Sequence, residues 1–136
     1  MDFNECIKKR ISKEVKRDAD LIASLKKTSQ NKFDSEDKLE LNEITASSKI
    51  SLLYDSLREL LEALAITRGY KIYNHECYTC FLKEIVNESS KGDEFDEIRK
   101  IRNGINYYAK EISIGEAKEV LKRIKMLRKE IIELLS

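Results

Sequence analysis

The sequence predicts an all-α protein, an up-and-down bundle of four to five helices. Three observations predict it. Apolar residues recur every three or four positions along almost the whole chain, the period of one helix face. The 136 residues contain no proline and only four glycines, too few turn-formers for a β-sandwich or barrel. Charged residues make up 38% and hydrophobic residues 41%, a balance that suits solvated helix faces over an apolar core rather than a disordered chain. The length fits one domain over residues 1–136.

The elements follow in chain order. Phe3, Ile7, Ile11, Val15, Ile22 and Leu25 place a first helix, with Asp18 as its lapse and the polar stretch Thr28 to Asp34 as its end. Leu39, Ile44, Ile50, Leu53, Leu57, Leu60, Leu61 and Leu64 mark a second helix. It would run roughly 33 residues, about 50 Å at the helical rise, and stop at Gly69, a residue suited to the left-handed conformation beyond a helix end. Tyr70 to Tyr73 read as a linker, and Asn74 as the N-cap of a third helix holding Phe81, Leu82, Ile85 and Val86. Asn87 to Gly92 is the clearest loop. Phe95, Ile98, Ile101, Ile105 and Tyr108 define a fourth helix. Ser113-Ile-Gly-Glu116 is a capping box opening a last helix with Ala117, Val120, Leu121, Ile124, Leu127, Ile131 and Leu134. The apolar end of that helix points to deep packing or to a second copy, and a homodimer is expected.

Composition also excludes functions. No Gly-rich run exists, so a P-loop or Rossmann nucleotide site is ruled out. No apolar run approaches the length of about 20 residues needed to cross a bilayer. Met1 to Arg10 mixes acids and bases, unlike a secretory signal. Cys6, Cys77 and Cys80 are an odd count without disulfide-framework spacing, so the expected compartment is a reducing cytoplasm. The net charge of +1 hides a pattern: residues 1–32 carry +4, 33–69 carry −4, 70–98 carry −4 and 99–136 carry +5. Either the basic ends pack against the acidic middle, or a basic face awaits nucleic acid or an acidic partner.

The stretch richest in chemistry is Glu97-Ile-Arg-Lys-Ile-Arg-Asn-Gly-Ile-Asn-Tyr-Tyr108. On a helical wheel Arg102, Asn106, Arg99 and Asn103 form a polar stripe beside the apolar face. Arg binds phosphate through paired hydrogen bonds. Arg102-Asn103, followed by Tyr107 after Gly-Ile-Asn, resembles the motif of the HEPN superfamily, which is Arg, four to six residues, then His, very often with Asn directly after the Arg. Gly69-Tyr-Lys-Ile-Tyr-Asn-His-Glu-Cys77 and Asn106-Tyr-Tyr108 add to the likeness. The resemblance spans about Ile44 to Ser136 and is nearest to small stand-alone archaeal members.

It implies an all-α dimer that joins two motifs in one cleft. It further implies either metal-independent ribonuclease activity or partnership with a minimal nucleotidyltransferase in a toxin–antitoxin system, with RNA or nucleotide as ligand and no cofactor. Carried over, Arg102 matches the Arg, Asn103 its neighbour, and Tyr107 the position of the His. A Tyr near pKa 10 exchanges protons poorly at neutral pH, where a His near 6.5 does so readily. The leading expectation is therefore a binding module on Arg99, Arg102, Asn103, Asn106 and Tyr107 without strong catalysis. The alternatives are a toxin-type endoribonuclease using Arg102 with Tyr107 or His75, and a purely structural helical protein.

Three further features have blander readings. His75, the only histidine, is as suited to capping or packing as to catalysis. His75, Cys77 and Cys80 fan out around a helix, so buried packing thiols are expected in place of a zinc site. Tyr70, Tyr73, Tyr78, Tyr107 and Tyr108 could stack on bases, or seat their rings at bundle ends with hydroxyls outward. Near the motif, Asp96 with Lys100 and Glu119 with Arg123 are spaced for ordinary pairs along a helix.

Overall fold

The computed structural model describes residues 1–136, the side chain of Tyr107 excepted. The described residues form six α-helices: α1 (Phe3–Lys8), α2 (Ala19–Asp37), α3 (Ala46–Thr67), α4 (Glu76–Cys80), α5 (Ser89–Tyr108) and α6 (Ile114–Leu135). A π-helical turn, Phe81–Ile85, extends α4, and two short strands, β1 (Ser12–Glu14) and β2 (Tyr70–Ile72), pair antiparallel. The all-α bundle is as the periodicity predicts.

The central element is α3, packed between α2 and α6. Its Ile50, Leu53, Tyr54, Leu57, Leu61 and Leu64 are buried, and they meet Phe95 and Ile98 of α5 and Ala117, Ile124, Leu127 and Ile131 of α6 in one core. Ile22 and Leu25 of α2 pack on Ala63 and Ile66 in a smaller cluster. The capping box forms: Ser113 Oγ accepts from Glu116 N, and Glu116 Oε1 accepts from Ser113 N. Gly69 takes φ +89°, the left-handed turn expected there.

The boundaries differ from the sequence reading in several places, and Tyr70 to Ile72, read as part of a linker, is strand β2. The single first helix is α1, β1 and α2. The break falls at Arg10, which adopts φ 60° while Ile11 N donates to Cys6 O and Arg10 N to Ile7 O. This closes α1 in a Schellman turn without the usual glycine. The chain beyond it is drawn into the ribbon, where Ser12 pairs with Ile72 and Glu14 with Tyr70. Thr28 to Asp34, expected to end the first helix, lies inside α2 because Ser29 is buried against Ser56 of α3, its hydroxyl donating to the Ser56 carbonyl at 2.6 Å. Leu39 to Ile44 lies outside α3. Asn42 Oδ1 accepts from Ile44 N and Thr45 N, a turn that competes with the helix, and Ile44 is exposed. Gly92 sits within α5, where a Cβ would lie 2.7 Å from Lys83 Cγ and 3.0 Å from Thr79 O, so close packing against α4 explains the residue.

Arg10→Gly is expected to stabilise the fold by about 0.5–1 kcal/mol, because the left-handed conformation strains any residue with a Cβ. Thermal melting checks it: an unchanged or lowered midpoint would mean that the Arg10 side chain offsets the strain.

The terminal and middle segments exchange charge across their seams, the first of the two readings of the charge pattern. Lys32 pairs with Glu59, Lys125 with Glu36 (3.5 Å), and Arg123 with Glu94 and Glu97. Asp96 and Lys100 pair at 3.0 Å as expected. Arg123 instead turns from Glu119 to α5, where two carboxylates converge on it.

Candidate functional site

The polar stripe of α5 ends up beside the β2–α4 junction. Strand β2 stops at Ile72, and Asn74 Oδ1 accepts from Glu76 N at 2.8 Å, a turn just ahead of α4, whose N-cap is His75 and not Asn74 as the sequence suggests. His75 is thereby half-buried at the head of α4. There it meets Tyr54, which α3 presents from the core: Tyr54 Oη lies 2.9 Å from His75 Nδ1, with ring centroids 5.7 Å apart. Tyr54 also stacks on Phe95 at 6.0 Å, so both α3 and α5 hold the phenol in place. The Arg102 guanidinium carbon stands 5.0 Å from the Tyr54 ring centroid, a cation–π contact.

An open cavity of about 350 Å³ is lined by Asn74, His75, Glu76, Arg99, Arg102 and Asn103. The structure thus brings His75, Arg99, Arg102 and Asn103 together. It does not bring in Asn106, whose amide oxygen accepts instead from Ser51 Oγ of α3 at 3.4 Å. Tyr107 is the last candidate, and its side chain lies outside the described residues. Tyr108, expected on the apolar face, is 82% exposed, since α5 is running out of core by its last turn.

Asp96 restrains Arg99. Arg99 donates to Asp96 Oδ1 from Nη2 at 2.8 Å and from Nε at 3.3 Å. Against the upward push of burial, hydrogen bonds from Arg99 and Lys100 hold the Asp96 carboxyl below its ordinary value. This is a structural use of Arg99.

Two residues escaped the sequence reading. Tyr54 sits at helical spacing among Ile50, Leu57 and Leu61 and reads as plain core. Arg58, one turn on, is half-buried and pairs with Glu62 at 3.9 Å. A Tyr and an Arg four apart on an otherwise apolar face were the only signal available. Their effect is electrostatic. Burial first, and then the charges of Arg58 and Arg102, lower His75 to about 4. Burial pushes Tyr54 up to about 12, although Arg102, Arg99 and Arg58 oppose the shift. At neutral pH the site therefore holds a neutral imidazole, a protonated phenol and fixed cations, with Glu76 the carboxylate on its wall. In the tautomer with the proton on Nε2, Tyr54 donates to Nδ1.

The sign of the pH dependence follows. The unfolded chain, with a His near 6.5, binds the proton that the folded chain refuses, so the stability contributed by His75 is whole above about 6.5 and is lost as pH falls towards 4. His75→Gln is expected to flatten that part of the stability–pH curve. An NMR midpoint for His75 near 6.5 in the folded protein would contradict the burial argument.

The cysteines depart from expectation. Cys6 and Cys77 form a disulfide, Cα–Cα 6.2 Å, joining α1 to α4, so they are not packing thiols. Cys80 remains a thiol and is buried, as expected of a packing residue. No cluster among the described residues could hold a metal ion. No helix among them is long and apolar enough to cross a membrane. Comparison with known protein families, curated proteins and solved structures finds no match to this chain.

Proposed function

We propose that the cavity between α5 and the β2–α4 junction binds a phosphate group of RNA or a nucleotide, and that the chain acts as a HEPN-like module without strong catalysis. The observation that carries this is the meeting of His75 with Arg99, Arg102 and Asn103 on one cavity wall. Burial is the larger cause of the lowered His75, and the charges of Arg58 and Arg102 push it the same way; an anion answers such a cluster of cations. A minimal nucleotidyltransferase partner of toxin–antitoxin type belongs to the same proposal and rests on the motif resemblance. A homodimer rests on that resemblance and on the apolar last helix. A cytoplasmic setting is expected from the cysteine count and the N-terminus, and the Cys6–Cys77 bridge counts against the cysteine part of that argument. Much of the apolar surface that suggested the dimer is occupied inside the chain: Ile131 is core and Leu134 and Leu135 pack partly buried against it, while Ile114, Met126 and Ile132 of α6 are exposed.

The Tyr54–His75 hydrogen bond favours a second reading, metal-independent ribonuclease activity. An imidazole titrating near 4 is a weak base at neutral pH. A bound phosphate would offset the arginine part of that shift and raise it, while the larger part, from burial, would remain. In this reading His75, not Tyr107, takes the proton-transfer role.

A metal-free RNA binding and cleavage assay tests both. Arg102→Ala is expected to remove a charged hydrogen bond worth about 1.5–3 kcal/mol, roughly ten- to a hundredfold in affinity, with the helical circular dichroism unchanged. Cleavage that is abolished in both Arg102→Ala and His75→Gln would establish the second reading. Neither binding nor cleavage by the wild type would leave the bundle a structural or protein-binding module.

A further inference from the structure

On the opposite side of α3, at its seam with α2 and α6, Arg128 is 5% exposed. Its Nε donates to Ser56 Oγ at 2.8 Å, and its Nη2 lies 3.3 Å from Gln30 Oε1 and 3.5 Å from Ser29 Oγ. Its guanidinium carbon stands 4.3 Å from the Phe33 ring centroid. All these partners are neutral. Among the described residues no carboxylate lies within ion-pair distance of Arg128. Glu59, the buried carboxylate one turn from Ser56 on α3, is occupied by Thr28 and Lys32. An arginine cannot shed its proton to relieve burial, so this is a desolvated cation with no carboxylate in contact, the charge of Asp34 offsetting only part of the burial.

Arg128 also lines a cavity of about 250 Å³ with Lys26, Gln30, Leu60, Ile132, Leu135 and Ser136. The wall thus combines two cations with three aliphatic side chains. We infer that this cavity is a binding site for a small carboxylate carrying a short alkyl chain, the carboxylate neutralising Arg128 and Lys26 while the chain lies on Leu60, Ile132 and Leu135. The site is separate from the Arg102 cavity and independent of any role in RNA binding. A bare inorganic anion would leave the aliphatic wall unused, and an uncharged alkyl ligand would leave Arg128 uncompensated.

The test is an NMR titration of the intact protein with sodium hexanoate, following the Arg128 Nε–H and the Leu60 and Ile132 methyl resonances. Hexanol and sodium chloride at matched concentration serve as controls. Saturable hexanoate shifts with a Kd of about 10 mM or tighter, and no saturation by chloride, are expected. Lys26→Ala, at an exposed position, should weaken binding severalfold without unfolding the protein, and Arg128→Met should abolish it. The proposal is overturned if hexanoate gives no saturable shift, if hexanol binds equally well, or if a folded Arg128→Met still binds. Should Arg128→Met not fold, the hexanol comparison and Lys26→Ala decide the matter alone.

Discussion

Reducing the Cys6–Cys77 disulfide is expected to cost the protein up to about 4 kcal/mol of stability. The bond spans 71 residues, and in the chain-entropy account a closed loop of that size withholds about this much freedom from the unfolded state. Set against a typical domain stability of about 5–15 kcal/mol, the loss would move the urea midpoint far down. Cys6→Ser should reproduce the effect of reductant and then be insensitive to it. Cys80→Ser should leave the response to reductant intact, since Cys80 takes no part in the bridge. Thiol counting in denaturant is the direct check: one thiol without reductant and three with it. Three in both states would remove the bridge and the prediction together.

A second large effect is expected at Lys49. Its ammonium lies 3.0 Å from Glu36 Oε1, and it donates to the carbonyls of Glu36, at 2.9 Å, and Leu39. Glu36 is 1% and Lys49 6% exposed. The lysine thus serves as counterion to a buried carboxylate and as cap to the end of α2, where the helix dipole favours a cation. Lys49→Met should destabilise by about 3–5 kcal/mol, because it strands Glu36 with only Lys125 nearby. Adding Glu36→Gln to Lys49→Met should recover a substantial part of that loss, since a neutral pair carries no such desolvation cost. A double-mutant cycle in urea reads the coupling, and strictly additive losses would show that the two residues act separately.

How far the sequence disclosed this molecule depended on how local the deciding interaction was. The capping box at Ser113, the stop at Gly69 and the core face of α3 are set by residues within a few positions, and they stand where the sequence places them. Arg10 ends α1 with no glycine to announce it, and Ser29 keeps α2 helical through a bond to Ser56 on another helix. The disulfide and the ribbon likewise depend on partners some 60 to 70 residues away. At the candidate site the same division holds. Arg102, Asn103 and His75 could be named from residue type and motif. That His75 answers to Tyr54 and Arg58 could not, because α3 carries them on a face that periodicity assigns wholly to the core.

The N-terminal arm has a consequence for the order of assembly. The groups that seat α1 all come from the middle of the chain: Phe3 rests edge-on against Tyr70 and near Phe81, its amide donates to Glu84, and Cys6 waits for Cys77. A ribosome builds chains from the N-terminus at about 5–20 residues per second, so the first segment made spends several seconds without a place to dock. By contrast α2 and α3 meet as sequence neighbours. The arm therefore settles only after the middle of the chain has been made, later than the neighbouring pair α2 and α3, and until then Cys6 has no partner thiol from Cys77.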